Sequence, residues 1–313
     1  GPIPPNGLYD YSWTLIDSII IYPEPIADFQ SPTDACKNDT IILIYDASAD
    51  TTIPGISGQI IDYVEWIVTN PGGVITNYPN YGPSNLSLIL DTVGIWKIEL
   101  EVVSNSGCVN IKTRLITVHD LPIADFTSIY NPTCVDNNVI FNGNTGISGG
   151  STNSWTGGII NEWDWNFDDP YCLPLPSCSL YNSTINGDAN HTYTTSQSYD
   201  VDLIVTDHKH CTSLPISNTI TVESAITASF TSVTECLGIP TQLDGILSSS
   251  SVDSWEWEIY DPSEPGGSII QTTSTPNHNY TFSTAGFHNI ILTTGTTLSN
   301  GQICSSVPLS QQV

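Results

Sequence analysis

Hydrophobic and polar positions alternate along most of this chain, in short bursts. Ile98, Leu100 and Val102 are separated by Glu99 and Glu101, and Val201, Leu203 and Val205 by Asp202 and Ile204. A period of two rich in β-branched residues predicts strands with one buried face. The 21 Pro and 23 Gly break these bursts at short intervals, and no stretch sustains a helical period. The pattern predicts an all-β chain of many short strands.

The bursts recur in a fixed order of landmarks. Pro25-Ile26-Ala27-Asp28-Phe29 returns as Pro122-Ile123-Ala124-Asp125-Phe126, and in weaker form as Thr227-Ala228-Ser229-Phe230. Each start is followed by a cysteine: Cys36, Cys134, Cys236. An aromatic strand comes next, ending in Trp66, Trp165 or Trp257, the last two preceded at two residues' distance by Trp163 and Trp255. An alternating strand opened by Gly94, Ser198 or Gly286 follows, and a second cysteine closes the round: Cys108, Cys211, Cys304. Repetition on this scale predicts tandem units, each a two-sheet sandwich. The boundaries fall at 25–120, 121–224 and 225–313. Residues 1–24 read as the C-terminal end of a preceding unit, because Asp17-Ser18-Ile19-Ile20-Ile21-Tyr22-Pro23 resembles Leu115-Ile116-Thr117-Val118-His119. The last unit is expected to lack the end of its final strand, and the parent to continue in both directions. Short Pro-containing linkers such as Val118-His119-Asp120-Leu121-Pro122 predict a semi-rigid rod.

Charge narrows the functions. Lys and Arg number 5 against 32 Asp and Glu, a net charge of −27. No basic patch can form, which excludes nucleic acid and anionic membrane as natural partners. The longest apolar runs, such as Ile41-Ile42-Leu43-Ile44-Tyr45, fall far short of the roughly 20 residues of a membrane-spanning helix. Eight cysteines at recurring positions predict disulfides and a secreted, extracellular setting. The absence of a signal peptide and of Met reads as a mature or trimmed fragment. One early and one late cysteine per unit predicts Cys36–Cys108, Cys134–Cys211 and Cys236–Cys304, with Cys172–Cys178 as a local bridge. The alternative for Cys211 is a zinc site with His208 and His210.

The middle unit carries a family resemblance. It reads Ala124-Asp125-Phe126, Trp163-x-Trp165-x-Phe167, Asp168-Asp169, His191-Thr192-Tyr193, then Tyr199-x-Val201-x-Leu203-x-Val205-Thr206-Asp207. This resembles the PKD (polycystic kidney disease) domain family, whose pattern is a Trp-rich strand ending in Phe-Gly-Asp-Gly, a His-Thr-Tyr turn and an alternating strand. The unit has Asp-Asp-Pro where Gly-Asp-Gly is usual. The third unit keeps Trp255-x-Trp257 and Asn277-His278-Asn279-Tyr280, while the first lacks the His-Thr-Tyr turn. The early and late cysteines resemble the PKD repeats of Bacteroidota surface proteins, including gliding-associated adhesins and type 9-secreted proteins. The resemblance implies a tandem of immunoglobulin-like, PKD-type β-sandwich domains acting as spacer, stalk or adhesive filament. Asp17-Ser18-Ile19, Asp39-Thr40-Ile41, Asp50-Thr51-Thr52 and Asp91-Thr92-Val93 fit the O-glycosylation triplet of that phylum, making Ser18, Thr40, Thr51 and Thr92 candidate acceptors. Asn38, Asn85, Asn182, Asn190 and Asn279 head Asn-x-Ser/Thr triplets, which matter only in an N-glycosylating source.

Candidate sites each have a plainer reading. Trp66, Trp165 and Trp257 suit a sugar platform or, by the immunoglobulin precedent, a core residue packed on a sandwich disulfide. Asp164, Asp168 and Asp169 suit calcium, or an Asx-type turn before Pro170. His191 and His278 suit general-base work or packed turn positions, and no nucleophile motif accompanies them. Two long loops in the middle unit, Asn144 to Asn161 with Trp155 and Pro170 to Asn190, suit ligand binding or a contact with a neighbouring repeat. The sequence therefore predicts no enzyme and no required cofactor. It predicts a stalk segment of a secreted bacterial adhesin, with neighbouring repeats, surface glycans or cell-surface proteins as partners. The alternative is a set of accessory binding modules on a secreted hydrolase.

Overall fold

The computed structural model describes residues 20–49, 58–80, 84–143, 159–170, 180–183, 187–245, 252–261 and 267–313. Among these, every regular element is a strand. The chain divides into two compact units, Gly1–Asp120 and Leu121–Val313.

The first unit contains β1 (Phe29–Gln30), β2 (Asp34–Cys36), β3 (Thr40–Tyr45), β4 (Ile61–Thr69), β5 (Ile75–Asn80), β6 (Leu86–Ile89), β7 (Gly94–Ser104) and β8 (Val109–His119). They form two sheets, β1-β3-β6 and β2-β8-β7-β4-β5. The second unit begins with β9 (Thr127–Ile129), β10 (Thr133–Cys134), β11 (Asn138–Asn142), β12 (Ile160–Asn166), β13 (Leu180–Ser183), β14 (Ala189–Thr192), β15 (Ser198–Asp207) and β16 (Ile216–Glu223). Their sheets, β9-β11-β14 and β10-β16-β15-β12-β13, repeat the first order strand for strand. The unit continues with β17 (Phe230–Ser232), β18 (Thr241–Gly245), β19 (Ser254–Tyr260), β20 (Ser268–Thr273), β21 (Asn277–Tyr280), β22 (Asn289–Thr297), β23 (Ile303–Ser305) and β24 (Leu309–Gln312). Here β17-β18-β21 faces a sheet in which β22 pairs with β19, β23 and β24, and β20 edges β19. Neighbours are antiparallel except β2 with β8 and β10 with β16, which run parallel. This is the strand order of an immunoglobulin-like sandwich, complete twice and present a third time without the parallel edge strand and with its last strand divided into β23 and β24.

The alternating pattern becomes alternating burial. Ile98, Leu100 and Val102 are sealed, as are Val201, Leu203 and Val205, and three separate cores result. Each core is built on the same contact. Phe29 meets Trp66 edge-on at 5.0 Å and 78°, Phe126 meets Trp165 at 4.9 Å and 76°, and Phe230 meets Trp257 at 5.3 Å and 78°. The register across the next strand also recurs, with Trp66 opposite Leu100, Trp165 opposite Leu203 and Trp257 opposite Leu292. The recurring Phe of the start phrase is therefore the partner of the recurring Trp. Quadrupole alignment in such edge-to-face pairs adds about 0.5–1.5 kcal/mol to the area they bury. The Asp of the same phrase is local: the Phe29 N–H donates to Asp28 at 2.9 Å and Arg114 donates at 3.1 Å. These bonds, the backbone one foremost, hold the Asp28 carboxyl below its ordinary pKa.

Candidate functional site: strand-end carboxylates and the clasp between sandwiches

Strand parity places the acidic candidates. Trp163, Trp165, Phe167 and Asp169 follow one another on the inward face and are all buried. Asp164 and Asp168 have the opposite parity and are exposed. Asp169 reaches His191 Nε2 at 2.9 Å, while Asp168 accepts the Asp200 N–H at 3.3 Å. The three carboxylates therefore do not converge, which corrects the calcium expectation: period two sends alternate residues to opposite faces. The third sandwich repeats the inward rule with Trp255, Trp257, Ile259 and Asp261. Asp261 accepts the Tyr280 hydroxyl and the Ser283 N–H, both at 3.3 Å.

The histidines lie in strands rather than turns. His191 is in β14 opposite Val139, and His278 is in β21 opposite Leu243. His191 stacks on Phe167 at 4.6 Å and its side chain is 7% exposed against 1% for Asp169. A pair so enclosed offers a substrate no approach. Tyr193 stacks on Tyr199 at 4.0 Å and donates to Phe167 O at 3.2 Å. Burial, helped by the charge of Asp169, raises the Tyr193 pKa. The set acts as a latch between the two sheets. Asp169→Asn is expected to cost about 1–3 kcal/mol, because it disturbs a buried hydrogen bond. Chemical denaturation measures it, and an unmoved midpoint would show that the carboxylate is dispensable.

His278 is half-buried and stacks on Trp257 at 6.2 Å and 28°. Burial lowers its pKa. A histidine depressed in the folded state binds protons more readily when unfolded. Its stabilising contribution is therefore complete above about pH 6.5 and is lost as pH falls through the lower folded value. Melting scans from about pH 7 to pH 5.5 should show this decline, and His278→Gln should flatten it.

The cysteines differ most from expectation. Cys134 bonds Cys304, with Cα atoms 5.5 Å apart. Cys36 and Cys211 are also disulfide-bonded, whereas Cys108 and Cys236 are free. The within-unit pairs Cys36–Cys108, Cys134–Cys211 and Cys236–Cys304 are therefore wrong, and the reason is strand length. Cys36 lies opposite His119, the last residue of β8, while Cys108 immediately precedes its first residue. An 11-residue strand spans about 35 Å, and a disulfide needs Cα atoms within about 7 Å. Likewise Cys134 lies opposite Glu223, the last residue of β16, and Cys211 precedes that strand's start. A disulfide-bonded Cys211 is also no thiolate ligand, which removes the zinc alternative with His208 and His210.

The Cys134–Cys304 bond joins the early cysteine of one sandwich to the late cysteine of the next. Ile226 and Leu298 are buried around it, leaving Cys134 8% and Cys304 4% exposed. Asn300 Nδ2 donates to Pro132 O at 2.7 Å. The receiving segment is fixed from behind, since Asn131 donates to Thr219 O at 2.8 Å and accepts the Thr221 N–H at 3.0 Å. Ile226, Leu298 and Asn300 went unnoticed in the sequence, where nothing but their nearness to a boundary or a cysteine marks them.

Other candidates are simply placed. Trp66, Trp165 and Trp257 are 1%, 1% and 0% exposed, and no sugar could reach them. Thr40 and Thr92 are exposed, the Thr92 hydroxyl donating to Asp91 at 2.8 Å. Trp155, Cys172, Cys178, Ser18 and Thr51 lie outside the described residues. Among the described residues, no helix is long and apolar enough to cross a membrane.

No family model and no curated protein matches the chain. Solved structures similar to it include the fibronectin(III)-like modules of Clostridium thermocellum CbhA, at 12% identity over 64% of this chain and 95% of that one, with a TM-score of 0.34. Domains FN1–FN3 of chicken CNTN1 align at 9% identity over 93% of this chain and 98% of that one, with a TM-score of 0.32. A structure from a 1.5-MDa bacterial ice-binding adhesin, described in terms of host cell surface retention, aligns at 10% identity over 93% and 98%, with a TM-score of 0.32. The chain is a tandem of immunoglobulin-like β-sandwiches. At these identities the likeness concerns the fold alone.

Proposed function

We propose that the chain is a stalk segment of a secreted bacterial cell-surface adhesin, built from consecutive PKD-type repeats at 25–120, 121–224 and 225–313. The observation that carries this reading is the Cys134–Cys304 bond. A covalent tie between successive sandwiches, wrapped in its own small apolar cluster, suppresses bending at the linker. A spacer gains from that stiffness. The disulfides suit an oxidising, extracellular location, and the net charge of −27 keeps neighbouring stalks apart. The resemblance to Bacteroidota repeats extends the proposal to a gliding-associated, type 9-secreted, O-glycosylated parent.

Antibodies raised against the chain and imaged by electron microscopy on intact cells test the reading. Labelling along thin projecting filaments is the expected result. Labelling confined to a soluble secreted protein with a single catalytic head would overturn it and make these sandwiches the accessory modules of a hydrolase.

A further inference from the structure

We propose that Asn300 is a self-modifying site gated by the Cys134–Cys304 clasp: once that bond opens, the Asn300 amide cyclises onto Gly301 and is lost as ammonia, and the clasp then re-forms poorly. The modification follows the state of the bond in any parent that carries the chain.

The site is built into the junction. Asn300 lies exposed in the turn between β22 and β23, with Leu298 of the disulfide's apolar cluster before it and Cys304 after it. Its Nδ2 donates to Pro132 O of the preceding sandwich at 2.7 Å, two residues ahead of Cys134. Its Oδ1 accepts the Gln302 N–H at 3.0 Å. Gly301 follows at φ 83°, and its own N–H donates to Leu298 O at 2.9 Å.

An asparagine followed by glycine is open to imide formation, because no side chain on the glycine hinders the approach of its nitrogen. The Gly301 nitrogen attacks Asn300 Cγ, forming a new C–N bond and placing negative charge on Oδ1. The Cγ–Nδ2 bond then breaks. The proton lost from the Gly301 nitrogen ends on Nδ2, which leaves as ammonia. Water opens the ring at either carbonyl, giving aspartate or its isoaspartyl isomer. One water is consumed and one ammonia released, with no oxidant or reductant.

Three hydrogen bonds decide when this happens. The Gln302 N–H lies on the oxygen where charge develops, so it favours the addition. The other two oppose it: Pro132 O holds the departing Nδ2, and Leu298 O holds the attacking N–H. Both require the hairpin to stay seated on the preceding sandwich, and the disulfide enforces that. Opening the bond frees the hairpin for local excursions in which the two restraints lapse. The products then oppose closure. An aspartate offers Pro132 O a carboxylate in place of a donor, and the isoaspartyl form adds a methylene to the backbone ahead of Cys304. Asn142–Gly143 provides the contrast. Asn142 is paired in β11 opposite Thr127, and Gly143 is buried with Gly187 and Trp165 packed on it, so this site takes no part in the clasp.

The test incubates the full chain in mildly alkaline buffer as oxidised protein, as protein held reduced, and as Cys134→Ser. Peptide mass mapping reads amide loss at Asn300 and Asn142, and hydrogen exchange across β22 reports whether the third sandwich stays folded. The expected result is amide loss at Asn300 at least about tenfold faster in both open forms than in the oxidised one, with Asn142 slow throughout and β22 protected. Asn300→Gln, whose longer side chain closes the ring far less readily, should abolish the loss. Asn300→Asp, reduced and then reoxidised, should recover the Cys134–Cys304 bond several-fold less than the unmodified chain while keeping β22 protected. Equal rates at Asn300 in oxidised and open protein, acceleration only together with Asn142 or with loss of β22 protection, or full reclosure by Asn300→Asp would each overturn the proposal.

Discussion

Opening the Cys134–Cys304 disulfide is expected to destabilise the unit Leu121–Val313 by about 5 kcal/mol in the chain-entropy view. The bond closes a loop with a sequence separation of 170, so it removes much of the freedom of the unfolded chain. Cys304→Ser and mild reduction should both lower the melting temperature. They should also split the unfolding of the unit into two transitions, because the sandwiches lose their covalent coupling and the order around Ile226 and Leu298. Calorimetry on oxidised, reduced and Cys304→Ser protein makes the comparison. A single unmoved transition, with the thiols shown to be free, would mean that the noncovalent contacts at the junction suffice.

Trp165→Ala should cost about 3–5 kcal/mol, the range for deleting a fully buried indole. The loss has three parts: the transfer term, the cavity, and the contact with Phe126 at 4.9 Å. Phe126→Ala alone should be comparably damaging. The double variant should lose less than the sum by about 1 kcal/mol, because the edge-to-face pair can be lost only once. A sugar-platform role predicts something different: weakened glycan binding with little change in the melting curve. Denaturation and glycan-binding assays on the same variant separate the two.

The sandwich architecture was legible because period two is a direct record of which face meets the core. Ile98, Leu100 and Val102 needed no further context, and the recurring landmarks gave three copies of one answer. The partner of the recurring Trp was also on view as the recurring Phe, although an immunoglobulin precedent suggested a disulfide there. The cysteine pairing was not legible. Equal spacing arises whether an early cysteine bonds the late one of its own repeat or of the next, and only the position of each along the final strand separates the two. That position depends on β2 lying beside the end of β8, and β10 beside the end of β16, parallel pairings that no local pattern announces. The acidic cluster failed for a simpler reason. Asp164, Asp168 and Asp169 are near one another in sequence, but strand parity continues through Phe167 and turns Asp169 inward, a rule readable from Trp163 and Trp165 alone.

The placement of one bond also decides how the unit Leu121–Val313 answers a pull applied at its two ends. Tension passing through Leu121–Val313 enters ahead of Cys134 and leaves beyond Cys304, so the sulfur–sulfur link becomes the shortest path and everything between is slack. A sequence separation of 170 is thereby kept out of line. At about 3.3–3.6 Å per extended residue, that is roughly 560–610 Å of hidden length. While the bond holds, unfolding the residues between Cys134 and Cys304 cannot lengthen the unit. A reductant, cutting one covalent link, would release nearly all of it at once.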